Sequence, residues 1–274
     1  MENAVIGYLG PQGTYSEIAA ESLCAGAKKV AYPSFFTLFS ALVSGETDFI
    51  AVPIENTLNG AVTQNLDLLQ ETDGVYACAA CALEIDHRLV TLKGADNREI
   101  KRIYSHAQAL GQCAKYLAAN FPKVRLIETP STAECVKRIK SGADAGIAGA
   151  HLKREGLKLS EYNISDEKKN YTQFLLVKRG APAGGERSDR VFFSVTCPHR
   201  AGALVELLSV LKEGGINMTE IESRPIKDKT GEFRFFMEVE GDYSDDGFKK
   251  SLAKLKSAAN SFKLLGCYKS GLPK

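Results

Sequence analysis

Phe49-Ile50-Ala51-Val52-Pro53-Ile54-Glu55-Asn56-Thr57-Leu58-Asn59-Gly60 passes from a continuous apolar run into a polar loop. Residues 49–52 have the character of a parallel strand covered on both faces, and Pro53, which has no N–H, is expected to end its ladder pairing. Glu55, Asn56 and Asn59 then fall at the strand's carboxyl end, where open α/β sheets bind ligands. The plainer reading gives Asn56 and Asn59 turn and cap duties for a helix over 61–70.

Working outward, 4–9 reads as a strand. The loop Gly10-Pro11-Gln12-Gly13-Thr14-Tyr15-Ser16 opens a helix reaching about residue 25, with Thr14 or Ser16 as N-cap. It lacks the Lys-Ser/Thr of a P-loop and the three glycines of a dinucleotide fingerprint, which argues against a nucleotide, whereas its N–H groups and helix dipole suit a carboxylate. A strand over 29–32 and a helix capped by Ser34 and closed at Ser44-Gly45 lead to the central strand. The same order then returns as strand 102–105, helix 106–119, strand 124–128, a capping box Ser131-Thr132-Ala133-Glu134 opening a helix to Ser141-Gly142, and strand 145–148. Ser44-Gly45-Glu46-Thr47-Asp48-Phe49-Ile50-Ala51 aligns with Ser141-Gly142-Ala143-Asp144-Ala145-Gly146-Ile147-Ala148 with one residue deleted.

Two such halves imply two α/β lobes, with 75–92 crossing to the second, 161–177 bringing the chain back, and a ligand cleft between them. After Asn170-Tyr171-Thr172-Gln173-Phe174, the glycine- and proline-rich stretch 181–189 reads as a linker. Strand 190–196, helix 201–212, strands 216–224 and 232–240, helix 245–259 and strand 262–266 then give a ferredoxin-like βαββαβ order. This part carries no evident acid/base pair, so it reads as a binding or pairing module. The expected division is 1–180, in lobes of about 1–75 plus 160–180 and about 76–159, then the linker, then 190–274.

Composition narrows the function. The chain has 274 residues, 44% hydrophobic and 25% charged, enough for an ordinary core and two domains. A net charge of +2 with no basic–aromatic run argues against nucleic acid, and no stretch is apolar for the length of a membrane span. The start of the chain carries no export signal, and seven cysteines without a disulfide framework fit a reducing compartment, so a cytoplasmic protein is expected. Cys78 and Cys81 fall in a strand, where residues three apart face opposite ways. With four histidines and no second CxxC, no metal is expected.

Six motifs in register, Gly10-Pro11-Gln12-Gly13-Thr14-Tyr15-Ser16, Val52-Pro53-Ile54-Glu55-Asn56-Thr57, Ser105-His106-Ala107-Gln108-Ala109-Leu110, Asn170-Tyr171-Thr172-Gln173-Phe174, Gly202-Ala203-Leu204-Val205 and Glu222-Ser223-Arg224-Pro225, resemble those of prephenate dehydratases with a C-terminal ACT regulatory domain. The resemblance implies a two-lobed, periplasmic-binding-protein-like catalytic domain followed by the ACT domain, a cofactor-free lyase reaction from prephenate to phenylpyruvate, and feedback inhibition by phenylalanine. By motif position it implies Thr172, Glu55, Asn56, Ser105 and Gln112 as catalytic residues, with Gly13, Thr14, Asn59, Gln108, Gln173 and Phe174 around the substrate. Gly202, Ala203, Leu204, Asn217, Glu222, Ser223 and Arg224 would form the phenylalanine site, in a homodimer or homotetramer that covers the open face or edge of the small ACT sheet.

The sequence departs from the family's usual Thr-Arg-Phe at Thr172-Gln173-Phe174, which removes a guanidinium suited to a carboxylate and leaves Lys168 and Lys169 as substitutes. Thr172 and Glu55 compete for the acid role, and Gln173 keeps arogenate, the amino analogue, open as substrate. A non-catalytic two-lobed binding protein is the rival class. The residues also have plainer readings: Thr172 as a strand residue, Ser105 and Gln112 as helix cap and exposed helix face, and His106 as a packed or capping histidine.

Overall fold

The structure, a computed structural model, describes residues 3–152, 154–182, 187–227, 229 and 231–271. The first lobe is built from β1 (Val5–Leu9), α1 (Tyr15–Leu23), β2 (Lys28–Tyr32), α2 (Phe35–Ser44), β3 (Phe49–Asn56), β4 (Gly60–Ala61), α3 (Thr63–Glu71) and β5 (Val75–Glu84). The second holds β6 (His87–Leu92), β7 (Arg102–Ser105), α4 (Ala107–Gln112), α5 (Ala114–Asn120), β8 (Arg125–Glu128), β9 (Asp144–Gly149) and β10 (Leu157–Leu159), and β11 (Tyr171–Arg179) returns to the first. The crossing over 75–92 consists of two strands, parted at Ile85-Asp86.

The strand orders explain the internal likeness in the sequence. In the first lobe the order is β5-β11-β3-β1-β2, and in the second β10-β6-β9-β7-β8. β1 is parallel to β2 and β3, and β3 is antiparallel to the returning β11; β7 is parallel to β8 and β9, and β9 is antiparallel to β6. The matched segments are therefore β3 and β9 with the turns that precede them. Ahead of β3, the Ser34 hydroxyl accepts from the Thr37 N–H at 3.2 Å, and Gly45, at φ +84°, closes α2 in the left-handed region.

Local expectations fail where a distant contact intervenes. β3 does not stop at Pro53. Its ladder with β1 ends at Ala51, but pairing with β11 continues to Asn56, across an irregularity where Gln173 faces Glu55 and Phe174 faces Pro53, leaving Ile54 unopposed. The helix expected over 106–119 is broken at Cys113, because the Asp166 carboxylate accepts from the N–H groups of Lys115 (2.9 Å) and Tyr116 (3.1 Å) and so starts a second helix. The expected capping box at 131–134 is half made. Ser131 Oγ accepts from the Glu134 N–H at 3.1 Å, Glu134 turns to Lys137, and one short 3₁₀ stretch, Glu134–Arg138, stands where a longer helix was expected. Cys78 occupies an irregularity in the β5–β11 ladder, so Cys78 and Cys81 both pack on the apolar cluster of Ile6, Ala19 and Phe174 and do not face opposite ways.

The C-terminal part comprises β12 (Arg190–Thr196), α6 (Ala203–Glu213), β13 (Met218–Pro225), β14 (Phe233–Glu240), α7 (Asp246–Ala258) and β15 (Ser261–Tyr268), in the expected βαββαβ order. One face of its sheet, β13-β14-β12-β15, packs Val191, Phe193, Val195, Met237 and Val239 against α6 and α7. Phe192, Phe236, Leu265 and Tyr268 join the first lobe's core on the other face. β15 also pairs with β5 at Gly266 and Ala77. The approach is so close that a Cβ on Gly266 would lie 2.6 Å from that of Ala77, and one continuous sheet results. The first lobe thus covers the sheet face that a second copy was expected to cover, and among the described residues the β13 edge remains unpaired. Part of the expected linker, 183–186, lies outside the described residues. At its far end, Ser188 and Asp189 are held by Asp242 and by the Tyr268 carbonyl.

Candidate active site

A cavity of about 250 Å³ opens between the lobes. The first lobe lines it with Leu9, Gly10 and the head of α1 (Thr14, Tyr15, Ser16), together with Asn56 at the end of β3 and Thr172 on β11. The second contributes His106, Gln108, Ala109 and Gln112 on and before α4, with Pro130, Ser131 and Thr132, and Ile85 and His87 come from the crossing. The lobes touch across its rim. The Tyr15 hydroxyl donates to the Asp86 carbonyl and accepts from the Asp86 N–H, both at 2.9 Å, and His151 Nε2 lies 3.0 Å from the Gly13 carbonyl.

Beneath the cavity a chain of buried amides has its polarity set from one end. The N–H groups of Leu58 (3.2 Å) and Asn59 (3.1 Å) are unambiguous donors, so the Asn56 side-chain atom they meet is its oxygen, which also accepts from Asn59 Nδ2 at 2.7 Å. Asn56 Nδ2 must then donate, and it does so to Asn170 Oδ1 (2.7 Å), the Tyr171 carbonyl (3.1 Å) and Thr172 Oγ1 (2.9 Å). With its oxygen occupied, Asn170 donates through Nδ2 to Gln112 Oε1 at 3.1 Å, and the same oxygen lies 2.9 Å from His87 Nε2. That nitrogen is therefore the protonated one. The chain ends in three uncommitted groups: the Thr172 hydroxyl proton, which no described residue accepts, and two buried nitrogens without protein partners, Gln112 Nε2 and His87 Nδ1.

The residues inferred from sequence divide sharply. Asn56, Gln112, Thr172, Thr14 and Gln108 line the cavity. Gly13 and Asn59 sit just behind it, Gly13 touching His151 and Asn59 holding Asn56. Ser105 is fully buried, and its hydroxyl is spent on the Ile147 carbonyl at 2.7 Å, tying β7 to β9. Phe174 belongs to the apolar core of the first lobe. Glu55 and Gln173, each one residue from a cavity-lining side chain, face the other way. Gln173 Nε2 donates to Glu238 of β14 at 3.3 Å, and Glu55 stands among Glu220, Glu222 and Glu238. His106 acts as the cap of α4, Nδ1 accepting from the Gln108 N–H at 3.3 Å. His87 and Asn170 were not singled out. Asn170 opens the motif Asn170-Tyr171-Thr172-Gln173-Phe174, whereas a lone histidine at a strand start carries no local signal.

Burial, then Glu238 and Glu222, raise the Glu55 carboxyl above its ordinary range, and burial with Glu55, Glu238 and Glu222 pushes Glu220 up to about 8. Glu238 is well partnered, accepting from Tyr268 Oη at 2.6 Å and Thr219 Oγ1 at 2.8 Å. Beside this cluster, Arg224 of β13, a residue expected at the phenylalanine site, pairs with Asp67 of α3 at 2.7 Å and so joins the two domains. In the turn before α6, Ala203 is buried while Gly202, at φ +82°, is exposed. Asn217 and Ser223 are also exposed, Leu204 and Glu222 partly so.

A family model described as prephenate dehydratase matches residues 6–182, and one described as ACT domain matches 191–257. A bifunctional chorismate mutase/prephenate dehydratase of Neisseria gonorrhoeae is 35% identical over 96% of this chain and 74% of its own length. A prephenate dehydratase of Amycolatopsis methanolica is 32% identical over 96% of this chain and 88% of its own. The crystal structure of prephenate dehydratase from Arthrobacter aurescens in complex with L-Phe superposes with a TM-score of 0.86 at 28% identity, covering 98% of this chain and 92% of that one.

Proposed function

The chain belongs to the prephenate dehydratase family, a family of lyases, and carries an ACT domain; from that premise we propose how its own residues take prephenate to phenylpyruvate and how the reaction is controlled. Loss of the ring hydroxyl and of carbon dioxide leaves an aromatic ring, so the protein's tasks are to hold two carboxylates and to assist the departing oxygen. Thr172 is the group placed for the second task. Its oxygen already accepts from Asn56, so its proton points to a partner outside the network, and the same Asn56 N–H stabilises negative charge on that oxygen as the proton is shared. This polarity is the observation that carries the reading. Glu55, turned away from the cavity, is not the acid.

The amide of Gln112 and the N–H groups at the head of α1, a nine-residue helix whose N-cap Thr14 makes no side-chain cap bond, hold the carboxylates. Among the described lining residues there is no Asp or Glu to meet an ammonium group, which favours prephenate over arogenate. The case for arogenate rested on Gln173, which does not face the cavity. Purified protein given prephenate is expected to form phenylpyruvate, with arogenate converted to phenylalanine at least about a hundredfold less efficiently, a difference one unpaired buried charge readily supplies. Comparable rates on both would overturn the assignment.

Phenylalanine acts as inhibitor through the ACT domain, residues 190–274, with 1–180 as the catalytic part. Gly202 and Asn217 bracket α6, whose 11 residues separate them by about 16 Å at 1.5 Å per residue. One amino acid cannot touch both within a chain, whereas a second copy across a two-fold axis sets the turn of one beside Asn217 of the other. The enzyme is accordingly a homo-oligomer paired along its ACT edges, and we place it in the cytoplasm, whose reducing conditions suit its seven free cysteines.

A further inference from the structure

We propose that His87 supplies the positive charge of the substrate cleft, taking up a proton at Nδ1 when the dianionic substrate enters; the inference rests on the dehydratase reading above. Among the described residues lining the cavity there is no lysine or arginine, and the only side chains able to become cationic are His87 and His106. Lys168, suspected from sequence, donates instead to the carbonyls of Asn163 and Ser165, both at 2.9 Å. The histidines are not equivalent. Protonating His106 at Nδ1 would destroy the cap that nitrogen provides to α4. His87 already donates through Nε2 to Gln112, so a second proton at Nδ1 breaks no bond and gives a partner-less buried nitrogen a charge-assisted one.

The surroundings keep His87 neutral until the substrate arrives. On its own strand side lies Asp86, whose carboxylate is held by Arg88 Nε at 2.7 Å. From α1 comes the Tyr15 hydroxyl, committed to the Asp86 backbone, and from α4 and its two caps come Gln112, His106 and the buried Cys113 thiol. Asp166 is turned to the start of α5, Lys168 to the carbonyls above, and His151, after β9, to Gly13. Burial draws His87 below the ordinary imidazole value, outweighing the opposing pull of Gln112 and Asp86. Two carboxylates inside the same cavity reverse that balance.

Three measurements test the inference. First, kcat/KM of the wild-type enzyme should fall about tenfold per pH unit above a break that lies below the ordinary imidazole value of roughly 6.5, because the free enzyme must gain the proton. His87→Gln, which keeps a donor toward Gln112 but cannot titrate, should flatten that profile and lower kcat/KM at least about tenfold near pH 6.5. Second, calorimetric titration of Thr172→Ala with prephenate, in buffers of different ionisation heat, should show uptake of about one proton, lost when His87→Gln is added. Third, ¹⁵N spectra of His87 in Thr172→Ala need no second variant to fold. They should show the neutral Nε2–H form alone, and both nitrogens protonated with prephenate bound. A level wild-type profile, uptake that survives His87→Gln, or a neutral His87 in the complex overturns the proposal. Failure of the wild type to form phenylpyruvate would count against the dehydratase reading instead, and the binding measurements would still decide the fate of His87.

Discussion

The two faces of the β3–β11 pair differ in nearly every electrostatic respect, although one residue along each strand separates them. On the cleft face Asn56 and Thr172 are opposed, in a setting of neutral amides and hydroxyls where Asn56 Nδ2 donates to Thr172 Oγ1. On the other face Glu55 and Gln173 are opposed, and they look into a cluster of four carboxylates, Glu55, Glu220, Glu222 and Glu238, that joins the catalytic lobe to the ACT sheet. One strand pair thus lines the cavity, and on the proposed assignment carries the reaction, on one side, and makes the domain contact on the other. A shift of the ACT sheet against this pair reaches Thr172 through a single layer of backbone, a short physical path for inhibitor control.

The sharpest break in the comparison should come from substitutions of neighbours. Thr172→Ala is expected to lower kcat about a hundredfold or more, equivalent to roughly 2.7 kcal/mol of transition-state stabilisation, with the fold intact and Thr172→Ser retaining part of the activity. Asn56→Asp, which replaces the donor to Thr172 by an acceptor, should cost a similar factor. Glu55→Gln, beside Asn56 in sequence, should keep kcat within about threefold, as expected of a side chain outside the site. Rates of phenylpyruvate formation decide the matter. A dead Glu55→Gln with an active Thr172→Ala would reverse the roles of the two faces.

Much of this contrast was legible in the sequence, and the part that was not has physical causes. The two similar lobes were visible because β3 and β9 each follow a Ser-Gly turn, and the βαββαβ order because its strands and helices keep clean periods. The facing of Glu55 and Gln173 was within reach, since alternation along a strand puts 55 opposite 56 and 173 opposite 172. It was obscured by reading Pro53 as the strand's end, which placed Glu55 in a loop with no defined face. The break at Cys113 depends on Asp166, and the place of His87 on the pairing of Gln112 with Asn170, 58 residues away in sequence. No local pattern encodes such contacts. The union of the ACT sheet with the first lobe through Gly266 and Ala77 is likewise invisible, because a glycine that admits a neighbouring strand looks like any other.

Gln173→Arg sharpens the comparison at intermediate size. From sequence alone this substitution would restore a cation to the substrate site. In the structure it sets a guanidinium beside Glu238 and Glu55, on the face away from the cleft. The KM for prephenate is therefore expected to change less than about twofold, while thermal stability rises by a few degrees as the carboxylates gain a counter-ion, at a rate of about 2–4 °C per kcal/mol for a chain this long. A several-fold fall in KM would show that position 173 reaches the cleft.

The smallest expected effect is a pH dependence of stability confined to the carboxylate face. Glu220 is pushed up to about 8 by burial and by Glu55, Glu238 and Glu222, whereas in the unfolded chain it titrates near the ordinary glutamate value. The folded protein therefore holds a proton that the unfolded chain releases in between. The stabilisation is complete below the unfolded value and is lost as pH rises toward about 8, the reverse of a salt-bridged acid. The melting temperature should accordingly fall by a few degrees between about pH 5 and about pH 9 in the wild-type protein, and by less in Glu220→Gln, which keeps the neutral form at every pH. Catalysis offers the contrast. Glu220→Gln should leave the slope of kcat/KM against pH unchanged, because the groups that titrate with the substrate lie on the other side of β3. A Glu220→Gln enzyme whose catalytic pH profile moved together with its melting curve would mean that the two faces titrate as one unit, and the separation drawn between them would fail.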